Sequence, residues 1–137
     1  MKYYTIYLDG IDKTGKDSIL PYIGPLCKYK YICNVRGIMT QIAYSDLYQR
    51  KFDYDLYQQK ECLNVLLTVN KDDWLVRCAV TREPKISYEE HRNAFEAAYK
   101  KLQDAGCPVL TLNTSFLSPY AAAKLIVDYI DEMNGEL

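Results

Sequence analysis

The 137-residue sequence has few of the features that mark several large protein classes. It contains one histidine, no cysteine pair at the CxxC spacing and no long apolar run, and its formal net charge is only −1. The scattered cysteines argue against a zinc centre, and the lack of an apolar run argues against a membrane span. The near-neutral charge argues against binding to duplex nucleic acid or to a membrane surface. The beginning of the chain lacks the charged-then-apolar pattern of a secretory signal, so we expect a cytoplasmic protein.

The five cysteines and the single histidine are expected to have no role as ligands. An odd number of cysteines without metal-ligand spacing is typical of reduced thiols inside a cell. His91 lies in a helix-like segment without a second histidine nearby, and we expect it on the helix surface. The 14 tyrosines are too many for one binding pocket, so most are expected to pack.

Strand-like and helix-like segments alternate along the whole chain, with no linker and no internal repeat. This alternation predicts a single α/β domain over residues 1–137, in which helices flank a short parallel sheet in three layers. A polar loop with Pro84 is expected at residues 81–87. The predicted strands are residues 3–8, 29–35, 63–69 and 108–112, and the predicted helices are residues 17–22, 38–59, 72–78, 88–103 and 118–133.

Between the first strand and the first helix lies the segment Gly-Ile-Asp-Lys-Thr-Gly-Lys, residues 10–16. It matches the first seven positions of G-x-x-x-x-G-K, in which backbone N–H groups surround a phosphate and the lysine adds a positive charge. The helix that follows directs its positive end at the same anion. The alternative is an accidental polar turn, but the strand and helix around the segment favour a P-loop NTPase-like domain. The expected phosphate-binding residues are Gly10, Thr14, Gly15, Lys16, Asp17 and Ser18.

The position after the lysine departs from this motif. A serine or threonine that ligates Mg²⁺ is usual there, whereas this chain has Asp17, and a hydroxyl follows only at Ser18. The carboxylate either ligates Mg²⁺ together with Ser18 or repels the phosphates. If ATP binds, Mg²⁺ is therefore the expected cofactor.

Two segments resemble thymidylate kinases. The first is Asp-Gly-Ile-Asp-Lys-Thr-Gly-Lys at residues 9–16, which has the family's additional aspartate inside the loop. The second is Arg-Gly-Ile-Met-Thr-Gln-Ile-Ala-Tyr at residues 36–44, which resembles the family's D-R-Y-x-x-S-x-x-A-Y stretch. Arg36 directly follows a predicted strand, where parallel sheets present their ligand sites. A surface arginine and a packed tyrosine would be the alternative interpretation of the second segment.

The resemblance implies a role for each matching residue. Asp12 would approach the 3′-hydroxyl of the acceptor sugar, and Lys13 would bring charge to the transition state. Arg36 would hold the phosphate of the acceptor, Gln41 would face the edge of its base, and Tyr44 would pack on its sugar. Asp9 and Thr40 complete the expected substrate contacts, and the expected catalytic residues are Lys16, Lys13, Asp12 and Arg36.

The same family places an arginine-bearing lid after the third strand. Arg77, Arg82 and Arg92 occupy the corresponding region, although a solvated helix face carries arginines equally well. The tetrapeptide Thr-Arg-Glu-Pro at residues 81–84 also occurs in the family, but upstream, so here it is a coincidence or part of the lid.

The resemblance implies transfer of the γ-phosphate of ATP to a (deoxy)nucleoside monophosphate. Val35 replaces the aspartate that the family has before the arginine. The interval from the loop to Arg36 is also too short to contain the additional strand and helices that line the monophosphate pocket in the family. The alternatives are therefore a degenerate relative that binds a nucleotide or a partner without catalysis and, with less support, a kinase for a nucleic-acid end. A homodimer is the default for such relatives, and the tyrosine-rich residues 44–57 are either its interface or part of the core.

Overall fold

A four-stranded parallel sheet lies between two layers of helices in the computed structural model, which describes residues 2–81 and 87–136. This is the predicted three-layer α/β fold. The strand order is β2-β1-β3-β4, and every neighbouring pair is parallel. The strands are β1 (Thr5–Asp9), β2 (Ile32–Val35), β3 (Cys62–Thr68) and β4 (Val109–Asn113); the helices are α1 (Lys16–Leu26), α2 (Ile38–Leu47), α3 (Lys71–Thr81), α4 (Tyr88–Asp104) and α5 (Pro119–Met133), with a short 3₁₀ helix at Gln58–Glu61.

The two central strands are apolar because helices cover both faces of the sheet. Five consecutive residues of β3, from Leu63 to Leu67, are buried, as expected for a strand without a solvent face. One core lies between the sheet and the pair α1 and α5, and the second lies between the sheet and the helices α2 and α4. Trp74 of α3 and Phe95 of α4 are the largest fully buried side chains of the second core.

Helix α1 extends past Tyr22 to Leu26, although Pro21 and Pro25 lie inside it. Each proline removes one bond to the carbonyl four residues earlier. Those carbonyls belong to Asp17 and Pro21, which are exposed, so water can satisfy them. The apolar face with Ile19 and Ile23 stays buried, and its burial outweighs the two lost bonds.

The prediction of a helix over residues 38–59 was wrong in its second half. Helix α2 ends at Leu47, and Gln49 then adopts a left-handed conformation with φ 52°. The amide of Gln49 donates to the carbonyl of Asp46, and the amide of Arg50 donates to that of Ser45. These are the two bonds of a Schellman motif, which usually has glycine where Gln49 stands.

His91 was also predicted wrongly, because it is buried in α4 and not on the helix surface. Its Nδ1 lies 2.9 Å from the carbonyl of Ser87, and its ring meets Tyr44 edge-on.

No helix within residues 2–81 and 87–136 combines the length and the apolar character needed to cross a membrane.

The sheet topology creates a crevice at the carboxyl end of β1. From β1 the chain crosses through α1 on one face to β2, and then returns through α2 on the other face to β3 on the opposite side of β1. In open parallel sheets, ligands bind where the crossovers diverge in this way. Residues 10–16 lie at this position.

Candidate functional site

The loop at residues 10–16 requires glycine at its first position. Gly10 has φ 152°, and a Cβ atom there would lie 2.5 Å from the carbonyl oxygen of Leu67 in β3. Gly15 is left-handed at φ 96° and forms the N-cap of α1. Lys13 is left-handed as well, at φ 68°, which costs free energy for a residue with a Cβ atom. The loop is therefore a tight turn directly between the end of β1 and the start of α1.

Lys16 lies beneath this loop with only 7% of its surface exposed. Its Nζ donates to the carbonyls of Gly10 at 2.7 Å and Ile11 at 2.9 Å. Burial lowers the pKa of the ammonium group, and Arg36 adds to this effect, whereas the carboxylates of Asp12, Asp9 and Asp17 oppose it. A buried cation thus holds the loop closed from within.

Helix α3 holds the same loop from outside. The indole Nε1 of Trp74 donates to the carbonyl of Asp12 at 3.1 Å, and Nη1 of Arg77 donates to the carbonyl of Lys13 at 2.6 Å. The same guanidinium also donates to Oγ1 and to the carbonyl of Thr114, beyond β4. Arg77, predicted as a lid residue, therefore joins the loop to the segment that precedes α5.

Asp9 and Thr40 contact each other beneath the site. Oδ1 of Asp9 accepts from the amides of Gly37 and Thr40 and from the hydroxyl of Thr40. Burial raises the pKa of the Asp9 carboxyl, although these hydrogen bonds and Lys16 act in the opposite direction. Both side chains are buried, so we reassign them from substrate contact to support of the site, where Asp9 caps the start of α2.

Arg36, Asp12 and Tyr44 lie together on the β2 side of the loop. Arg36 directly follows β2, is left-handed at φ 65°, and places Nη2 3.8 Å from a carboxylate oxygen of Asp12. Burial raises the pKa of the Tyr44 phenol; Asp12 raises it further, and Arg36 lowers it. The charges of Asp12 and Arg36 therefore both lie close enough to Tyr44 to influence its phenol. A left-handed arginine is a strained conformation, and such strain is concentrated at functional sites.

A cleft of about 580 Å³ lies against the loop and the start of α1. This volume falls within the range of small-molecule sites. Four cations and two carboxylates line it, so its local charge is positive although the chain is almost neutral. The lining residues are Asp12, Lys13, Thr14, Gly15, Lys16, Asp17, Ser18, Ile19, Arg36, Arg77, Thr114, Leu117 and Pro119.

The remaining predicted residues have other positions. Gln41 is exposed on α2, whereas the neighbouring Thr40 is buried. Arg92 forms an ion pair with Glu96 on the exposed surface of α4, as the alternative interpretation of a solvated helix face predicted. Arg82 and the tetrapeptide at residues 81–84 lie outside the described side chains.

Trp74, Thr114 and Leu117 contribute to the site although sequence reasoning missed them. Trp74 binds a carbonyl 62 residues away in the sequence, and no local pattern signals such a contact. Only the position of Thr114 and Leu117 in the chain could have indicated that they belong to the site. Their segment follows the last predicted strand, at the carboxyl edge of the sheet.

The fold is similar to the crystal structure of YorR protein in complex with phosphorylated GDP from Bacillus subtilis. The TM-score is 0.74 at 14% sequence identity, and the similarity covers 96% of this chain and 98% of that one. Neither a protein-family model nor a curated protein matches the chain. At this identity the comparison establishes a shared three-layer α/β fold.

Proposed function

We propose that the cleft binds the phosphates of a nucleoside triphosphate and that the chain transfers the γ-phosphate to a (deoxy)nucleoside monophosphate, as a thymidylate kinase does. The observation that carries this proposal is the convergence of Lys13, Lys16, Arg36 and Arg77 with the start of α1 on one cleft. The structure of the same fold in complex with phosphorylated GDP supports nucleotide binding in this architecture.

The donor phosphates would lie over the loop at residues 10–16. Amide groups at the start of a helix face an anion bound there, and the helix dipole favours its charge. Lys16 would exchange its bond to one of the loop carbonyls for a phosphate oxygen. A charged acceptor binds an ammonium group more strongly than a neutral carbonyl does.

The acceptor would lie on the β2 side, with its phosphate on Arg36 and its sugar near Asp12 and Tyr44. The guanidinium of Arg36 is 67% exposed, and its one ion pair with another described residue is the 3.8 Å contact to Asp12. It can therefore present its planar fork to two phosphate oxygens. Lys13, Lys16 and Arg77 would then neutralise charge on the phosphoryl group during transfer, since catalysis of this step is mostly positioning and electrostatics.

The residues fit a Mg²⁺ ion that arrives with the nucleotide. Asp17 and Ser18 offer hard oxygen atoms on the first turn of α1, where both line the cleft. Within the described part of the chain, no group of three or more His, Cys, Asp or Glu side chains forms a complete metal site. Mg²⁺ at phosphates takes only one or two protein carboxylates and completes its shell with phosphate oxygens and water. When bound, the ion would neutralise phosphate charge, with Asp17 and Ser18 as its protein ligands.

A non-catalytic nucleotide-binding protein is the second candidate. Asp17 favours it, because a carboxylate at the entrance of the loop opposes a triphosphate when no metal lies between them. The acceptor side favours it too, because α1 alone connects β1 to β2 and β2 is an edge strand.

Titration calorimetry with ATP and Mg²⁺ tests nucleotide binding. Lys16→Ala should weaken binding by about 1.5–3 kcal/mol, the range for hydrogen bonds to charged groups. Lys16→Met, which keeps the apolar stem, should weaken it similarly, whereas Lys100→Ala on the exposed surface of α4 should leave it unchanged. Equal affinities of the parent and both Lys16 variants would contradict the proposed phosphate site.

A coupled assay with ATP and each nucleoside monophosphate then separates the two candidates. Turnover that Arg36→Lys lowers supports the kinase, because lysine retains the charge but not the fork. Calorimetric binding of ATP without turnover of any monophosphate supports the non-catalytic protein.

A further inference from the structure

A row of aromatic rings begins at the acceptor side of the cleft and continues along α2. The ring of Tyr44 is fixed by edge-on contacts to His91 and Phe95, with centroid distances of 5.8 and 5.7 Å. Tyr48 stacks on Tyr44 at 5.9 Å with an interplanar angle of 13°, and the guanidinium of Arg50 lies 5.3 Å from the centroid of Tyr48. We refer to Tyr44, Tyr48 and Arg50 as the tyrosine stack.

The tyrosine stack is both rigid and accessible. Tyr44 is half-buried and anchored in the second core, and it fixes the plane of Tyr48. Tyr48 is nevertheless 54% exposed, and Arg50 is exposed. An aromatic ring that is held in place yet open to solvent is suited to stack on a flat ligand, because little conformational entropy remains to be lost.

The acceptor side of the cleft is open where a pocket for a mononucleotide would be closed. Small-ligand sites bury most of their ligand's surface. Here Arg36 is 67% exposed, and within residues 2–81 and 87–136 no strand pairs with the outer edge of β2. A ligand phosphate on Arg36 would therefore leave the rest of the ligand free to extend along α2.

The charges along this path favour a polyanion. Arg36 lies at one end of the path and Arg50 at the other. The carboxylate of Asp12 contacts Arg36 at 3.8 Å, and that of Asp46 at the end of α2 is paired with Lys101 at 3.4 Å. Cations with aromatic rings between them are the pattern that binds single-stranded nucleic acid, where bases stack and phosphates pair.

We propose that the tyrosine stack extends the acceptor site to hold the end of a single-stranded nucleic acid. The 5′-phosphate of the strand lies on Arg36, the base of the second nucleotide stacks on Tyr48, and Arg50 turns from the ring to the following phosphate. This inference rests on the proposed function for the phosphate on Arg36. It requires no general basic field, because stacking supplies most of the affinity and only two phosphates are paired.

Fluorescence anisotropy with a labelled, 5′-phosphorylated tetrathymidylate tests this inference, with thymidine monophosphate as the competitor. The tetranucleotide should bind at least tenfold more tightly than the mononucleotide. Tyr48→Leu should weaken binding of the tetranucleotide by about 5- to 150-fold, the cost of losing one stacked base, and leave the mononucleotide within about twofold. Tyr48→Phe should retain the affinity, as should Tyr4→Leu, which changes an exposed tyrosine before β1.

The salt dependence provides a second readout. Two paired phosphates predict that log K falls with log[salt] with a slope of about −1.4, and Arg50→Ala should reduce its magnitude by about 0.7.

Equal affinity for the tetranucleotide and the mononucleotide, or an unchanged affinity in Tyr48→Leu, would overturn the inference. So would a finding by sedimentation that Tyr48→Leu converts a dimer into monomers, because the stack would then be an interface between two copies. Binding of ATP at Lys16 is measured separately, so failure here leaves the phosphate site intact.

Discussion

Asp17 is the residue at which the sequence departs most from the motif G-x-x-x-x-G-K-[ST]. It is exposed in the first turn of α1 and lines the cleft beside Lys16. There it benefits from the helix dipole, as acidic residues at helix starts do. The same position would place it a few ångströms from the phosphates of a bound triphosphate. The carboxylate would therefore stabilise the free protein but weaken its affinity for ATP.

We expect Asp17→Thr to bind ATP more tightly than the parent when metal is absent. Two unit charges 4 Å apart repel by about 4 kcal/mol at an effective dielectric of 20, and solvent at this exposed position reduces the effect to about 1 kcal/mol, or about fivefold in affinity. Calorimetry with and without a chelator measures the difference, and Asp104→Thr, at the opposite end of the sheet, is the control. Identical metal-free affinities would mean that Asp17 points away from the phosphates.

Residues of the loop itself could be predicted from the sequence because their chemistry is local. Gly10 and Gly15 both adopt positive φ in this turn, and Lys16 bonds to the carbonyls of Gly10 and Ile11. All three residues therefore act within a segment of seven residues. The partners of Asp9 could not be predicted, because its carboxylate bonds to residues 28 and 31 positions away, and only the parallel pairing of β1 with β2 brings them together.

At the scale of elements, Asp9 connects the end of β1 to the start of α2 through hydrogen bonds. Its carboxylate ends the central strand and caps the helix, and its Oδ2 is buried with no hydrogen-bond partner among residues 2–81 and 87–136. Because burial raises the pKa of Asp9 above 3.8, the folded chain holds this proton more tightly than the unfolded chain does. The contribution of Asp9 to stability is therefore complete below about pH 3.8 and is lost as pH rises through the raised native pKa.

Asp9→Asn should remove this pH dependence. Asparagine keeps an oxygen acceptor for the amides of Gly37 and Thr40 but has no proton to lose. The free energy of unfolding of the parent, measured relative to that of Asp9→Asn by urea titration, should fall as pH rises above about 4, with a slope of at most about 1.4 kcal/mol per pH unit. Groups elsewhere cancel in the difference. A difference that stays constant from pH 4 to pH 8 would show that the carboxyl titrates alike in both states.

The ends of the helices show which local signals can be read from a sequence. Helices α4 and α5 are followed by the left-handed residues Gly106 and Gly135, and their predicted ends were correct to within a residue. Helices α1 and α2 form the same hydrogen bonds with Lys28 and Gln49 in that position. Without glycine to mark the turn, the sequence gives no local sign of where these two helices end. Tertiary packing decides those ends.

At the scale of the whole molecule, the cleft is assembled from segments far apart in the sequence. The loop at residues 10–16, Arg36 after β2, Arg77 of α3 and Thr114 after β4 meet at one edge of the sheet. A parallel sheet makes this assembly inevitable, since all its strands end at that edge. The alternation of strands and helices therefore predicted the fold and the edge, whereas the contacts across the cleft depend on strand order, which the alternation leaves open.

Because the cleft joins so many elements, ligand binding there should stabilise the entire fold. ATP with Mg²⁺ at 100 times its Kd adds about 2.7 kcal/mol to the free energy of unfolding. For a chain of 137 residues, this corresponds to a rise in Tm of about 9 °C, given the usual unfolding entropy per residue. Differential scanning calorimetry measures the shift, which Lys16→Ala should reduce at the same ATP concentration. Tyr48→Leu should retain the full shift, because Tyr48 is not among the residues that line the cleft. A shift that survives in Lys16→Ala but disappears in Tyr48→Leu would place the triphosphate on the tyrosine stack and not on the loop.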